Sequence, residues 1–597
     1  MTAVAPITPR ASRVASADLS VSVRDGGATV RGPSHALIDE RRLYCAVAGT
    51  PRWLASGAGS AAIGDPAAAL LDLYMARGDA LVGSLAGAFA FCIVDLERGR
   101  TLAAADRMGI WRLHYLHDRG RLLVSTSLDA LVRECDTRPA VDIQALYDYV
   151  YFHMIPAPRT IYAGVRTLRR AELLSVERDR TSTRRYWRPR WQTDVADTPP
   201  AHHETRELLS RAVARSLSAD GTTACFLSGG LDSSSVAGTA AKLRAPKPMQ
   251  AYSIGFDEPA YDETEFARAA AEAFRLDWHR HQLTADETAL TLPGVAAAFD
   301  QPFGNSSALA VYHCARTARE RGCRHMLAGD GGDEIFACNS RYAKQLLFER
   351  FAGWPAWLRT GAVAPLTGLA AKAPSSLARK LDRYVTQANV PLPDRLQSYN
   401  FLHQHAPREV FPAAVLERVD PREPLAMLRS EYAEAGATGA VNRMLHLDWQ
   451  FTLQDNDLVK VNTMCRHAGV DVAYPMLDDE LVAFSCRIAP ADKLRDGDLR
   501  RFYRHAMRGF LPDTVIDKKK HGFGLPFGVW TRTHAGLRGH ATGAIESLRD
   551  RRLFEPAFLD RALALHSDVH AAYYGELVWI LMVLELWFAA HMPDVRF

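Results

Sequence analysis

Short alternating and continuous apolar runs dominate the chain as far as residue 187. Leu19-Ser-Val-Ser-Val23 alternates with the period of a strand. Phe89-Ala-Phe-Cys-Ile-Val94 is a buried-strand pattern, with Leu102-Ala-Ala-Ala105 as its partner and Leu122-Leu-Val-Ser-Thr126 as a further strand. Ala67 to Met75 places Ala and Leu at helical spacing. Short strands with one helix predict a layered antiparallel sheet domain over residues 1–187. Residues 188–204 carry Pro and polar side chains without a period and read as a linker.

From Glu204 the pattern changes. Glu204 to Leu217 is an amphipathic helix. Ala224 to Leu227 is a short apolar strand that runs into Ser228-Gly-Gly-Leu-Asp-Ser233, after which Val236, Ala237, Ala240 and Leu243 recur at helical spacing. Further strands follow at Gln250–Phe256, His279–Leu283 and His325–Ala328, separated by helical stretches around Phe266–Phe274 and Val311–Glu320. The fourth strand leads into Gly329-Asp-Gly-Gly-Asp-Glu334. Alternating strand and helix predicts an α/β fold with a doubly wound parallel sheet over residues 205–597, helical throughout past residue 340. Ligands on such sheets bind beyond the carboxyl ends of the strands, where both Gly/Asp loops lie.

Composition narrows the class only a little. Of 597 residues, 48% are hydrophobic and 23% charged, ordinary values for a globular protein. A net charge of +4 gives no argument for nucleic acid or a membrane as partner. Nine dispersed cysteines without a CxxC pair point to a reducing compartment and away from a zinc site of cysteines. No basic-then-apolar targeting pattern opens the chain, and Leu577 to Ala590 contains Glu585 and is too short to span a bilayer. The expected location is the cytoplasm.

The Ser228–Ser233 turn supplies the first chemistry. A strand, a double-Gly turn and a helix start point unpaired backbone N–H groups and the positive end of a helix dipole at one place, which suits a phosphate or pyrophosphate. Asp232 beside such an anion calls for a divalent cation between them. No Gly-Lys-Ser/Thr follows, so this is not a Walker A loop.

Several segments carry resemblances to known families. Ala105-Asp-Arg-Met-Gly-Ile-Trp-Arg-Leu-His-Tyr115 and Gly87-Ala-Phe-Ala-Phe91 are similar to segments of class II glutamine amidotransferase domains. Tyr151 to Tyr162 resembles the stretch that leaves this domain in asparagine synthetases. That resemblance implies an N-terminal Cys nucleophile and an Asn-Gly-Glu motif. Here Thr2 is the second residue, and Leu43 to Thr50 holds neither Asn nor Glu. The expectation is a degenerate Ntn glutaminase-like fold without glutaminase activity, Cys45 being structural.

In the second domain Ser228–Ser233 matches the pyrophosphate loop of the N-type ATP pyrophosphatases. Gly329–Glu334, Asp478 in Tyr474-Pro-Met-Leu-Asp478, and Lys520-His-Gly-Phe-Gly-Leu-Pro526 match asparagine synthetase motifs. The resemblance implies ATP and Mg²⁺, with a carboxylate attacking the α-phosphate and an amine displacing AMP. Ser228, Gly229, Gly230 and Ser233 would cradle pyrophosphate, and Asp232 and Asp333 would hold the metal. Leu227, Ile254 and Gly329 would hold adenine by backbone groups. Lys520 would neutralise charge at the reacting phosphate, Arg500 would contact phosphate, and Asp330 would orient or deprotonate the amine.

The substrate region departs from the asparagine synthetases. Ala473 stands where they have the Arg that belongs to the aspartate-binding region, and Val461-Asn-Thr-Met464 departs from their Asp-Arg-x-x-Met. The layout most resembles lasso peptide cyclases, which close an Asp or Glu side chain of a core peptide on its N-terminal amine. A ribosomal precursor or core peptide and a leader peptidase are then the expected partners, with no nucleic acid and no membrane. The alternatives are a ligase acting on a small acid with free ammonia, a β-lactam-forming synthetase, and a non-catalytic nucleotide-binding subunit.

Overall fold

The computed structural model describes residues 10–12, 18–24, 27–54, 61–178, 180–192, 200–259, 261–371, 375–518, 524–568 and 571–597. Thr2, Lys520 and the segment 519–523 lie outside the described residues.

The N-terminal half holds two antiparallel sheets face to face. The seven-stranded sheet runs, in spatial order, Arg10–Ser12, Ser34–Ile38, Leu43–Gly49, Phe89–Asp95, Arg100–Ala105, Glu172–Glu177 and Arg180–Arg185. The five-stranded sheet includes Ser20–Arg24, His114–Asp118 and Arg121–Ser125. Phe89–Asp95 is buried on both faces: Phe91 and Ile93 meet the helix Pro66–Arg77, while Ala90, Cys92 and Val94 face the second sheet. That double burial is why the strand reads as a continuous apolar run. Cys45 is fully buried there, and burial pushes its thiol pKa well up, as expected of a structural cysteine.

Elements of the second half are numbered from its first strand. They are β1 (Thr223–Phe226), α1 (Leu231–Arg244), β2 (Gln250–Phe256), α2 (Thr264–Phe274), β3 (Asp277–Leu283), α3 (Ala285–Ala297), α4 (Ala308–Glu320) and β4 (His325–Leu327). After these come α5 (Gly332–Phe336), a π-helical stretch Trp449–Asp457 continuing as α6 (Leu458–Ala468), and β5 (Asp471–Ala473). The sheet order is β3-β2-β1-β4-β5, every pair parallel. Connections leave β1 in one direction and β4 in the other, so the topological switch point lies between them. The loops after these two strands are the two Gly/Asp motifs.

β5 corrects the expectation of helix alone past residue 340. Three residues are too few to show a period, and β5 exists because it pairs with β4 (Leu327 opposite Ala473). A second short departure is the hairpin Leu494–Arg495 with Asp498–Leu499.

The two halves interlock. Asp478 caps the following helix, accepting from the Glu480 amide at 3.1 Å. It also receives Arg215 at 2.7 and 3.1 Å and, from the N-terminal half, Arg52 at 2.8 Å. Asp479 accepts from the Gly87 amide at 2.6 Å. Gly109 packs so closely that a Cβ there would lie 2.6 Å from Gln454, whose amide in turn bridges Arg170 N and Leu168 O. Trp191, beyond the predicted domain edge, packs against Trp449 in a tilted pair with ring centroids 5.0 Å apart. Among the described residues no helix is long and apolar enough to cross a membrane.

Candidate active site

β1 delivers the chain to Ser228, and α1 begins three residues later. Gly229 turns the corner at φ +70°, where a Cβ would lie 2.4 Å from Ala267 N, so only glycine fits. The loop is held by its own hydroxyls. Ser228 Oγ and Ser233 Oγ are 2.9 Å apart, Gly230 N donates to Ser228 Oγ at 3.3 Å, and Ser228 N donates to Ser233 Oγ at 3.2 Å. The N-cap is Gly230, which offers no side chain to cap the helix. The first-turn N–H groups of α1 therefore receive no N-cap side chain, the arrangement of a helix start that can take an anion.

The loop after β4 lies directly against this one. A Cβ on Gly329 would sit 2.6 Å from Ser233 N, and one on Gly332 would sit 2.2 Å from Asp232 Oδ1. The two motifs fit together only because these positions lack side chains. Their acids meet at Arg500, which occupies the left-handed region at φ 54° and is 6% exposed. Its guanidinium donates to both oxygens of Asp232, at 3.0 and 2.7 Å, and pairs with Asp333. Two carboxylates that converge on one cation form an oxygen-rich set suited to a hard divalent ion such as Mg²⁺ completed by phosphate oxygens. Arg500 lies between the two acids and bonds to both.

Asp330 points to a second group that motif reading missed. Its carboxyl pKa is raised to about 6, chiefly by burial and also by Asp457 and Asp232, with Lys460 opposing. Lys460 donates to Asp457 at 2.7 Å. Burial works against its charge, yet Asp457 and Asp330 more than offset that and raise its pKa. Asp457 ends the π-helical stretch and Lys460 lies in the first turn of α6, so the pair hangs from one helix. In sequence it is an ordinary charged pair at i, i+3, Asp457-Leu-Val-Lys460, with no motif around it.

Of the three residues expected around adenine, Leu227 has both backbone groups engaged. Its N–H donates to Tyr252 O at 2.9 Å, and its carbonyl accepts from Ser253 Oγ. Ile254 lies two residues on in β2, and Gly329 on the neighbouring loop. Ala473 closes β5, and its carbonyl accepts from Ala328 N at 2.9 Å, next to Gly329 and Asp330. A small side chain thus occupies the strand end beside the candidate base.

A cavity of about 290 Å³ opens beside the π-helical stretch. Phe451, Thr452 and Asn456 of that stretch line it, together with Tyr151 and Phe152 from the segment leaving the N-terminal half and Leu577 of the last helix. Asn456 is the neighbour of Asp457, so one helix wall joins the cavity to the Lys460–Asp330 pair.

Comparison with known proteins places the two halves in two families. The model of the family described as asparagine synthase matches residues 204–589, and that of the glutamine amidotransferase domain matches residues 64–187. A Mycobacterium tuberculosis protein named "Putative asparagine synthetase (glutamine-hydrolyzing)" is 26% identical over 543 residues, 87% of this chain and 79% of its own. Asparagine synthetase (glutamine-hydrolyzing) 1 of Bacillus subtilis is 24% identical over 523 residues, 87% of this chain and 80% of its own.

Proposed function

The chain belongs to the asparagine synthase family, and from that premise we propose that it is an ATP-dependent macrolactam synthetase of the lasso peptide type. It activates an Asp or Glu side chain of a core peptide and closes it on the peptide's N-terminal amine. The observation that carries the reading is the meeting of the Ser228–Ser233 loop, the Gly329–Glu334 loop and Arg500 at the switch point, with the buried Asp330 and its neighbour Lys460 beside them.

In this reading the carboxylate oxygen attacks the α-phosphorus of ATP and the bond to the pyrophosphate oxygen breaks. The loop amides and hydroxyls of Ser228, Gly230 and Ser233 receive the departing charge. A magnesium ion bound through Asp232 and Asp333 would offset phosphate charge. Arg500 then turns from the two acids to a phosphate oxygen. The peptide amine attacks the acyl carbon, its proton passes to Asp330, and AMP leaves. A base of pKa about 6 is ionised at neutral pH and still accepts a proton in the transition state. Lys460, beside it, keeps the base anionic.

Ala473 supports an acid held as part of a larger molecule, since no guanidinium stands at that strand end to clamp a free aspartate. In the N-terminal half, Leu43–Gly49 is an interior strand between Ser34–Ile38 and Phe89–Asp95 and bears neither the Asn nor the Glu of a glutamine-holding loop. A substrate that brings its own amine fits that composition. The test is ATP turnover with a core peptide carrying an N-terminal Gly and an internal acid, measured against small acids with ammonia. Stimulation by the small acids alone refutes the peptide reading and leaves the small-acid ligase.

A further inference from the structure

Away from the nucleotide loops, three side chains of metal-ligand type converge: His281 on the edge strand β3, Glu287 in the first turn of α3, and His313 on α4. One donor atom from each lies within 4.8 Å of the other two, the only such group among the described residues. His281 Nε2 and Glu287 Oε2 are 3.2 Å apart. Ligands about 2.0–2.1 Å from a tetrahedral zinc ion stand roughly 3.4 Å from one another, so this pair is already at ligand spacing.

The hydrogen bonds around His313 fix which nitrogen is bare. Thr291 Oγ1 donates its proton to Glu287 O at 2.7 Å, so toward His313 Nε2, 2.9 Å away, it can only accept. His313 therefore carries its proton on Nε2 and leaves Nδ1 as a lone pair. The ring is fully buried, and Nδ1 has no hydrogen-bond partner among the described residues. A buried acceptor left without a donor is costly unless something binds it. A ligand imidazole whose other nitrogen donates to a fixed acceptor is the usual second-sphere arrangement of protein metal sites. Glu287 is fixed as well. It forms a reciprocal capping box with Thr284, and Arg316 lies 3.8 Å from its other oxygen, Oε1.

We propose that His281, Glu287 and His313 form a binding site for a divalent transition-metal ion of the zinc type, with an open fourth position, and that it ties β3 to α3 and α4. Two imidazoles and one carboxylate suit zinc better than magnesium or calcium. The site shares no residue with the nucleotide loops, but His281 lies in register opposite Ile254, so the ion would stiffen the strand pair that borders the adenine position.

The test is metal titration of the full-length, chelator-stripped protein without ATP, using zinc against a chromogenic chelator and cobalt for its visible absorption. The expected result is one tight ion per chain with tetrahedral cobalt bands. His281→Ala, at a partly exposed position, should abolish them, and Asp232→Asn should keep them. Thr291→Val, which removes the acceptor for His313 Nε2, should weaken binding about 10–100-fold. Absence of a tight ion from the wild type, or binding that survives His281→Ala unchanged, overturns the proposal.

Discussion

Replacing Asp330 by Asn should make the protein more stable and less active, with both effects set by pH. The side chain's pKa stands at about 6 in the folded chain against an ordinary 3.8. At about 1.4 kcal/mol per tenfold change in proton affinity, holding the ionised form in place costs about 3 kcal/mol at neutral pH. The sign follows from proton linkage. Between pH about 4 and about 6 the folded chain binds more protons at this site than the unfolded chain. Stability therefore falls as pH rises through that window and stays at the lower level above it. Asp330→Asn lacks this term. Urea unfolding should show the variant more stable than wild type by about 2–3 kcal/mol at pH 7 and indistinguishable from it near pH 3–4. In the wild type, amide formation should drop about tenfold per pH unit below 6 as the base protonates. The variant should be slower by about 10²–10⁴-fold, with that limb gone. Pyrophosphate release in the first step should change far less. A variant equally destabilised at every pH, or one that retains the acidic limb of the rate profile, refutes both the burial argument and the role of base.

Lys460→Met removes the charge that holds the Asp330 pKa down, so the acidic limb of the wild-type rate profile should move to higher pH; a limb that stays in place separates Lys460 from Asp330. Gly329→Ala puts a Cβ 2.6 Å from a backbone nitrogen of the facing loop, so ATP affinity measured by calorimetry should fall at least about tenfold, about 1.4 kcal/mol, while the far-UV spectrum is kept. Arg500→Ala leaves Asp232 and Asp333 facing each other, and formation of the activated acid should drop about 10²–10³-fold in a pyrophosphate-release assay. Asp478→Ala leaves Arg52 and Arg215 without their shared, nearly buried partner and should cost about 3–5 kcal/mol in urea unfolding.

Both Gly/Asp loops were legible because their pattern is local. Strand, double glycine, acid and hydroxyls follow one another in sequence, and the close approach of Gly329 to Ser233 explains why those residue types recur. The parallel sheet was legible for the same reason in β2 and β3, seven residues each, but not in β5, whose three residues become a strand only through pairing with β4. Lys460 and Asp457 were not singled out because their partner, Asp330, lies more than a hundred residues away. Nothing local distinguishes them from a surface pair. Asp478 was read as a motif residue, and its place between Arg52 and Arg215 depends on the docking of the two halves. The tautomer of His313 depends on Thr291 and Glu287 of another helix, which no spacing rule encodes.

The central claim is that this chain joins an acid and an amine of one peptide at the expense of ATP. Mass spectrometry of a core peptide incubated with the protein and ATP, without ammonia, tests it most directly. The expected product is lighter by one water, with AMP and pyrophosphate each released once per product. An unchanged peptide, alongside amide formation from a small acid when ammonia is supplied, contradicts it.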